Sequence, residues 1–216
     1  MSYGKFESIS EVARIFDIEV SGNKPFVDKL KIEVPNSDFK RIEKKLGDDL
    51  NFINEITICE RIISPILELV SDNYESLKIW SHVPYNVDKE KGLAGEPDYL
   101  IAPRTKYGDM DVPPLCVIEA KKDDFEEGWT QALAEMIATS LQGRKICYSV
   151  VTTGNTWEFG HLENKVFTKD PKKFSATVNL QEVFDVLNWM FDIAESHIEN
   201  AQMKETKRQA LICEPR

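Results

Sequence analysis

Residues 114–124 read PLCVIEAKKDD, and residues 95–103 read GEPDYLIAP. The first stretch decides the fold. Leu115–Lys121 is an apolar run with few polar breaks that ends in charge, the pattern of a strand at the buried centre of a sheet. Residues two apart on a strand point to the same face. Glu119 and Lys121 therefore stand side by side at the strand end, one carboxylate beside one ammonium. In the second stretch Asp98 follows Pro97 and opens a short apolar strand, PDYLIAP, which brings a third charge on a nearby segment.

Downstream, Asp123 is placed to cap a helix, with Glu126 at the capping-box position. That helix, DFEEGWTQALAEMIATSLQ, carries Trp129, Leu133, Met136, Ile137 and Ser140 on one stripe. At 100° per residue Gln131 falls opposite the stripe, where it faces a cleft, a phosphate backbone or solvent. KICYSVVTT reads as a second buried strand, Gly154-Asn155 as a turn, and TWEFGHLE as the strand that follows, with ENKVFTKD extending the meander. The segment LQEVFDVLNWMFDIAESHIENAQ is a long amphipathic helix. Its stripe is Leu180, Val183, Phe184, Leu187, Met190, Phe191 and Ala194, widened by Val186, Trp189 and Ile193. Such a helix packs on two sides within the subunit, or supplies half of a homodimer contact.

Upstream, Ser8 and Glu11 have capping-box spacing before a short helix. DIEVSG and FVDKLKIEVP alternate and read as a hairpin joined at Gly22-Asn23. DFKRIEKKLGDDL reads as a polar helix. NEITICERIISPILELVSD is a more apolar helix, kinked or broken at Pro65. LKIWSHVPYNV reads as one strand, and DKEKGLAGE and RTKYGDMDVPP as loops. From Asn54 the order is helix, three strands, helix, two strands, helix. This predicts an α/β fold with a mixed central sheet flanked by helices. Residues 54–203 form its core, 1–53 an N-terminal elaboration or small subdomain, and 204–216 a tail.

At 216 residues the chain can bury one sizeable core, and 42% hydrophobic with 30% charged residues is ordinary for a soluble domain. No apolar run reaches membrane-spanning length, and MSYGKFESIS lacks a signal-peptide core, so a cytoplasmic protein is expected. Cys59, Cys116, Cys147 and Cys213 form no CxxC pair and read as free thiols. His82, His161 and His197 have no metal-ligand partner at helical or strand spacing. The net charge of −10 argues against sequence-independent coating of nucleic acid. It leaves room for a local basic groove from Lys40, Arg41, Lys44 and Lys45, from Arg104 and Lys106, or from Arg144 and Lys145. HExxH, GxSxG, Walker and GxGxxG signatures are all absent from the sequence.

Two carboxylates can hold a hard divalent cation through oxygen, and a neighbouring lysine can orient an attacking water. Asp98, Glu119 and Lys121 are thus the minimum set for hydrolysing a phosphodiester. The series of glutamate-bearing helix, Pro-Asp strand, Glu-x-Lys strand and glutamine-bearing helix resembles the PD-(D/E)xK nuclease superfamily, the restriction-endonuclease-like fold. Glu119 follows Asp98 at an interval of 21 residues, which that pattern tolerates. VVTTGNTWEFGHLE is similar to the strand-turn-strand of the N-terminal nuclease domains of type I restriction subunits. The resemblance covers about residues 54–163.

It implies an Mg²⁺- or Mn²⁺-dependent nuclease acting on nucleic acid, DNA in the first instance. Asp98 and Glu119 would be metal ligands and Lys121 catalytic. The Ala120 carbonyl would be a further ligand, and Gln131 the glutamine of the following helix. Glu60 is the choice for an additional metal-shell carboxylate, with Glu55 and Glu68 as competitors. Glu96 is a neighbouring polar residue. One branch of the superfamily carries Gln-x-x-x-Tyr on that helix; here the fourth residue after Gln131 is Glu135. The alternative is a catalytically inactive module on the same fold that binds nucleic acid or a partner protein.

Overall fold

The computed structural model describes Tyr3 and residues 5–212, with side chains placed as far as residue 198. Cys213 and the end of the expected tail lie outside the described residues. Helix α1 (Ile9–Phe16) leads into β1 (Glu19–Asn23), and α2 (Asn36–Leu46) follows an extended segment. Next come α3 (Glu55–Ile58), a π-helical turn over Cys59–Ile63 and α4 (Ser64–Ser71). The strands β2 (Lys78–Ser81), β3 (Tyr85–Asp88), β4 (Leu93–Gly95), β5 (Tyr99–Ala102) and β6 (Cys116–Ala120) precede α5 (Phe125–Leu141). β7 (Ile146–Thr152), β8 (Thr156–Glu163), β9 (Val166–Lys169) and β10 (Phe174–Ser175) lead to α6 (Ala176–Ile212).

Eight strands form one mixed sheet in the order β1-β9-β8-β7-β6-β5-β2, with β10 also paired to β8. β6 and β7 run parallel, as do β1 and β9; the other pairs are antiparallel. Strand alternation divides the core between the two faces. Tyr99, Ile101, Cys116 and Ile118 pack with α3, α4 and α6. Leu100, Val117 and Val151 pack on the other side, with α1, α5 and the β3–β4 hairpin. The expected mixed sheet between helices is the architecture found.

Several local expectations are corrected. The hairpin at Gly22-Asn23 does not form: β1 pairs in parallel with β9, while residues 24–34 run extended beside α6 without joining a ladder. Side chains meet their backbone groups instead. Asp170 Oδ2 accepts from Phe26 N at 2.8 Å and Val27 N at 2.9 Å, Asp185 Oδ1 accepts from Ile32 N at 3.2 Å, and Asn188 Nδ2 donates to Leu30 O at 3.1 Å. LKIWSHVPYNV is two strands in two sheets, because His82 turns the chain with φ of 50°. Part of the expected DKEKGLAGE loop is β4, the partner of β3. The cap of α5 is Asp124, one residue later than Asp123, and its side chain accepts from Glu127 N at 2.9 Å. Both aspartates have a glutamate three residues on, so spacing alone does not separate them.

Pro65 acts on the turn before it. With no N–H to give to Arg61, it leaves the helix to close a wider turn, in which Ser64 N donates to Cys59 O. The stripe on α6 is filled within the subunit as far as Ala194, with Tyr74 Oη donating to Asn188 O at 2.8 Å. α6 is interrupted at Asn179, whose side chain accepts from Glu182 N. No helix among the described residues is long and apolar enough to cross a membrane.

Candidate functional site

The antiparallel register of β5 and β6 sets Tyr99 against Ile118. One step beyond, the start of β5 meets the end of β6, so Asp98 arrives beside Glu119 and Ala120. Asp98 Oδ2 accepts from Ala120 N at 2.8 Å, and Asp98 O accepts from His82 N at 3.1 Å. Glu119 Oε2 lies 3.9 Å from Lys121 Nζ, which is also 3.6 Å from Glu127 Oε1 on the first turn of α5. Lys121 N donates to Thr152 O, extending the β6–β7 pairing to the lysine. Asp98, 21 residues before Glu119, is brought together with Glu119 and Lys121. Ala120 is fully buried and meets Asp98 through its N–H.

Alternation turns Glu119 and Lys121 toward α5. That helix is covered on nearly every side, by the sheet below and by α1 and the β3–β4 hairpin above. Gln131 is accordingly buried at 5% exposure, so a solvent-facing position is ruled out for it. Close approach of α5 to the sheet depends on Gly128. A Cβ there would lie 2.5 Å from Val151 Cγ1 and 3.0 Å from Lys121 Cγ.

Glu135, one turn after Gln131 on α5, belongs to the same cluster. It is 0% exposed and stands against Glu119. Neither of its carboxyl oxygens, nor Glu119 Oε1, is reached by an N–H or hydroxyl donor among the described residues; the two carboxyls meet each other. The sequence did hold a signal for it. Glu135 comes four residues after Gln131 and so shares its helix face, the face from which a cleft-directed Gln131 would bring it to the same cluster.

The electrostatics follow from this crowding. Burial first, then the Asp98 charge, raise the Glu119 carboxyl above the ordinary carboxylate range. Burial and then Glu119 raise Glu135 well above it. Burial raises Asp98 too, against the opposing pull of the Ala120 N–H, Lys121 and His82. At Lys121 burial works to lower the pKa, but Glu119, Glu55, Glu127 and Asp98 outweigh it and hold the ammonium above its usual value. Three carboxyls thus share one lysine. A donor set of buried, hydrogen-bond-deficient carboxylate oxygens is the kind that a hard divalent cation fits.

The upstream glutamates separate. Glu55, at the start of α3, lies on the Lys121 side: its Oε1 accepts from Lys122 N at 3.4 Å, and its charge acts on Asp98 and Lys121. Glu60 is exposed on the π-helical turn. It lines a groove of about 440 Å³ together with Ile56, Cys59, Ser64, Ser81, His82 and Tyr99. Glu68 is exposed further along and accepts from Ser64 Oγ at 3.4 Å. A shallower groove of about 450 Å³, lined by Asn54, Glu55, Ile56 and Lys122, adjoins the first through Ile56. Glu96 is exposed and Asp98 is half-buried between the sheet edge and the His82 side.

No protein-family model matches the chain. No curated protein matches it. Among solved structures it is similar to part of a chain in a "cryoEM structure DrdV-DNA complex", at 14% sequence identity with a TM-score of 0.43. The similarity covers 72% of this chain and 14% of that one, so this chain spans about a seventh of the length of that neighbour.

Proposed function

We propose that this chain is a divalent-metal-dependent nuclease of the PD-(D/E)xK type, hydrolysing phosphodiester bonds in nucleic acid, with DNA as the first substrate class. One observation carries the reading: the β5–β6 register gathers Asp98, Glu119 and Lys121 where β5 begins and β6 ends, with a buried carboxylate oxygen of Glu119 that no N–H or hydroxyl among the described residues reaches. Asp98, Glu119 and the Ala120 carbonyl would hold Mg²⁺ or Mn²⁺. When bound, such a cation acidifies water and neutralises charge that builds on a scissile phosphate. Asp98 is oriented for this by the Ala120 N–H. Lys121, kept protonated by its acidic neighbours, offsets negative charge in the transition state. Glu55 supplies the upstream carboxylate that sequence reading assigned to Glu60. On the α5 side Glu135 stands against Glu119, with Gln131 buried one turn before it.

The test combines calorimetry with cleavage. Mn²⁺ titrated into the protein should bind, and Asp98→Asn should weaken that binding at least tenfold. Linear and plasmid DNA should be cut with Mg²⁺ or Mn²⁺, with losses of at least a hundredfold in Glu119→Gln and Lys121→Ala, magnitudes in keeping with removing an electrostatic catalytic group. Metal binding indifferent to Asp98→Asn would end this reading.

A second reading is favoured by one observation. Side-chain exposure is only 4% at Glu119 and 7% at Lys121. A nuclease-like module that binds nucleic acid or a protein without cutting needs no access to them. DNA binding without cleavage under any divalent ion, unaltered by Glu119→Gln, would select it. Self-association through α6 belongs to this second reading and is checked by sedimentation.

A further inference from the structure

On the other side of Asp98 lies a second group of donors with different chemistry. Cys59 projects from the π-helical turn, His82 from the bend between β2 and β3, and Asp98 from the start of β5. Their ligand atoms all lie within 4.8 Å of one another. His82 Nδ1 is 3.7 Å from Asp98 Oδ1. Tetrahedral coordination with nitrogen and oxygen bonds of about 2.0–2.2 Å sets such a pair about 3.3–3.6 Å apart, so this pair needs to close by only a few tenths of an ångström.

Three independent features build the group. The wider turn before Pro65 carries Cys59, whose thiol lies beside Tyr99 and Asp98. His82 holds a left-handed backbone, φ 50°, that histidine adopts at a cost, and it is kept there by its N–H to Asp98 O at 3.1 Å. The imidazole, half exposed, stands beside Tyr99 with ring centroids 6.0 Å apart. The fourth side opens onto the groove lined by Glu60 and Ser64. Thiolate, imidazole and one carboxylate form a soft-to-borderline set. It suits zinc and its neighbours in the first transition series, whereas Mg²⁺ and Ca²⁺ take oxygen ligands.

We propose that Cys59, His82 and Asp98 form a binding site for a thiophilic divalent ion of the zinc class, with the fourth position open to the groove. The site shares Asp98 with the acidic cluster. If the nuclease reading above holds, on which this consequence rests, a zinc-class ion seated here draws Asp98 away from Mg²⁺ and inhibits cleavage. Binding converts the Cys59 thiol to a thiolate and releases its proton to solvent; no redox change is involved.

The test uses the full chain, reduced and stripped of metal, titrated with Co²⁺. One equivalent should bind, with near-ultraviolet thiolate-to-cobalt absorption that Zn²⁺ bleaches by displacement. Cys59→Ser should abolish the absorption, His82→Ala should weaken binding at least tenfold, and Glu119→Gln should retain both absorption and affinity. His82 is an exposed residue, so its variant decides the matter should Cys59→Ser fail to fold. Absence of the absorption in the wild type, its persistence in Cys59→Ser, or unchanged affinity in His82→Ala overturns the proposal. The absorption requires no catalysis. A protein that binds Co²⁺ in this way but never cuts DNA tells against the nuclease reading alone; one that cuts DNA but shows no thiolate–cobalt band tells against this site alone. Zinc inhibition of Mg²⁺-supported cleavage, relieved in His82→Ala, then links the two.

Discussion

Glu135 is the residue on which the energetics of the cluster turn. It and Glu119 are two carboxyls buried against each other, and like charges so placed cannot both ionise without penalty. In the unfolded chain these groups release their protons near pH 4. In the fold Asp98, Glu119 and Glu135 are all raised, so the folded state binds more protons above that point. Stability contributed by the cluster is therefore full below about pH 4 and is lost as pH rises through the raised folded values. In chelator, the unfolding midpoint should fall between pH 5 and pH 8. Glu135→Gln keeps a donor for Glu119 but removes one titrating group, and should flatten that fall by about 1–3 kcal/mol at the alkaline end. Thermal unfolding of both proteins across this range checks it; a steeper fall in Glu135→Gln would contradict the account.

At the scale of elements, the site depends on how closely α5 lies on β6 and β7. Gly128 permits that approach, since any Cβ would overlap Val151 Cγ1 and press on Lys121 Cγ. Gly128→Ala should destabilise the fold by about 1–3 kcal/mol through overpacking. On the proposed nuclease reading it should also cost more activity than an overpacked surface helix would, because the displaced atom belongs to Lys121. Comparison with Gly160→Ala separates the effects. That Cβ would meet Trp129 at 2.7 Å, away from Lys121, and should cost stability with a smaller loss of cleavage rate. Equal rates in the two variants, measured at matched folded fractions, would show that Lys121 is not held by the α5 contact. The extended segment beside α6 makes a related point: alternation of side chains was present, but Asp170, Asp185 and Asn188 satisfied its backbone before another strand could.

For the whole molecule, the N-terminal residues complete both the sheet and the cover over α5. Tyr3 is fully buried and its Oη donates to Tyr85 O at 2.7 Å, Val12 packs in the α5-side core, and β1 closes the sheet edge at β9. Deleting residues 1–23 should remove several kcal/mol of apolar burial, at about 1.5–3 kcal/mol for each large side chain. The unfolding midpoint should drop by about 5 °C or more, taking about 2–4 °C per kcal/mol for a domain of this size. An unchanged midpoint would mean that these residues are a dispensable appendage. Conversely, on the proposed nuclease reading, Mg²⁺ at about a hundred times its dissociation constant should stabilise the intact chain by about 2.7 kcal/mol, and Asp98→Asn should remove at least about half of that gain. A calorimetric scan with and without the ion reads both.

Periodicity and capping carry local information, and they were enough for the sheet-and-helix layering, for the β6 strand with Glu119 and Lys121 on one face, and for the capped helix after it. Those features depend on neighbours a few residues apart, where geometry is dictated by the chain itself. The tertiary structure alone decided that Glu135 faces Glu119, that Glu55 rather than Glu60 lies beside Lys121, and that Cys59 and His82 meet Asp98. Each of these depends on the rotation of a helix about its axis or on a bend at a single residue. Such rotations are set by close packing between elements distant in sequence, which no short-range pattern encodes.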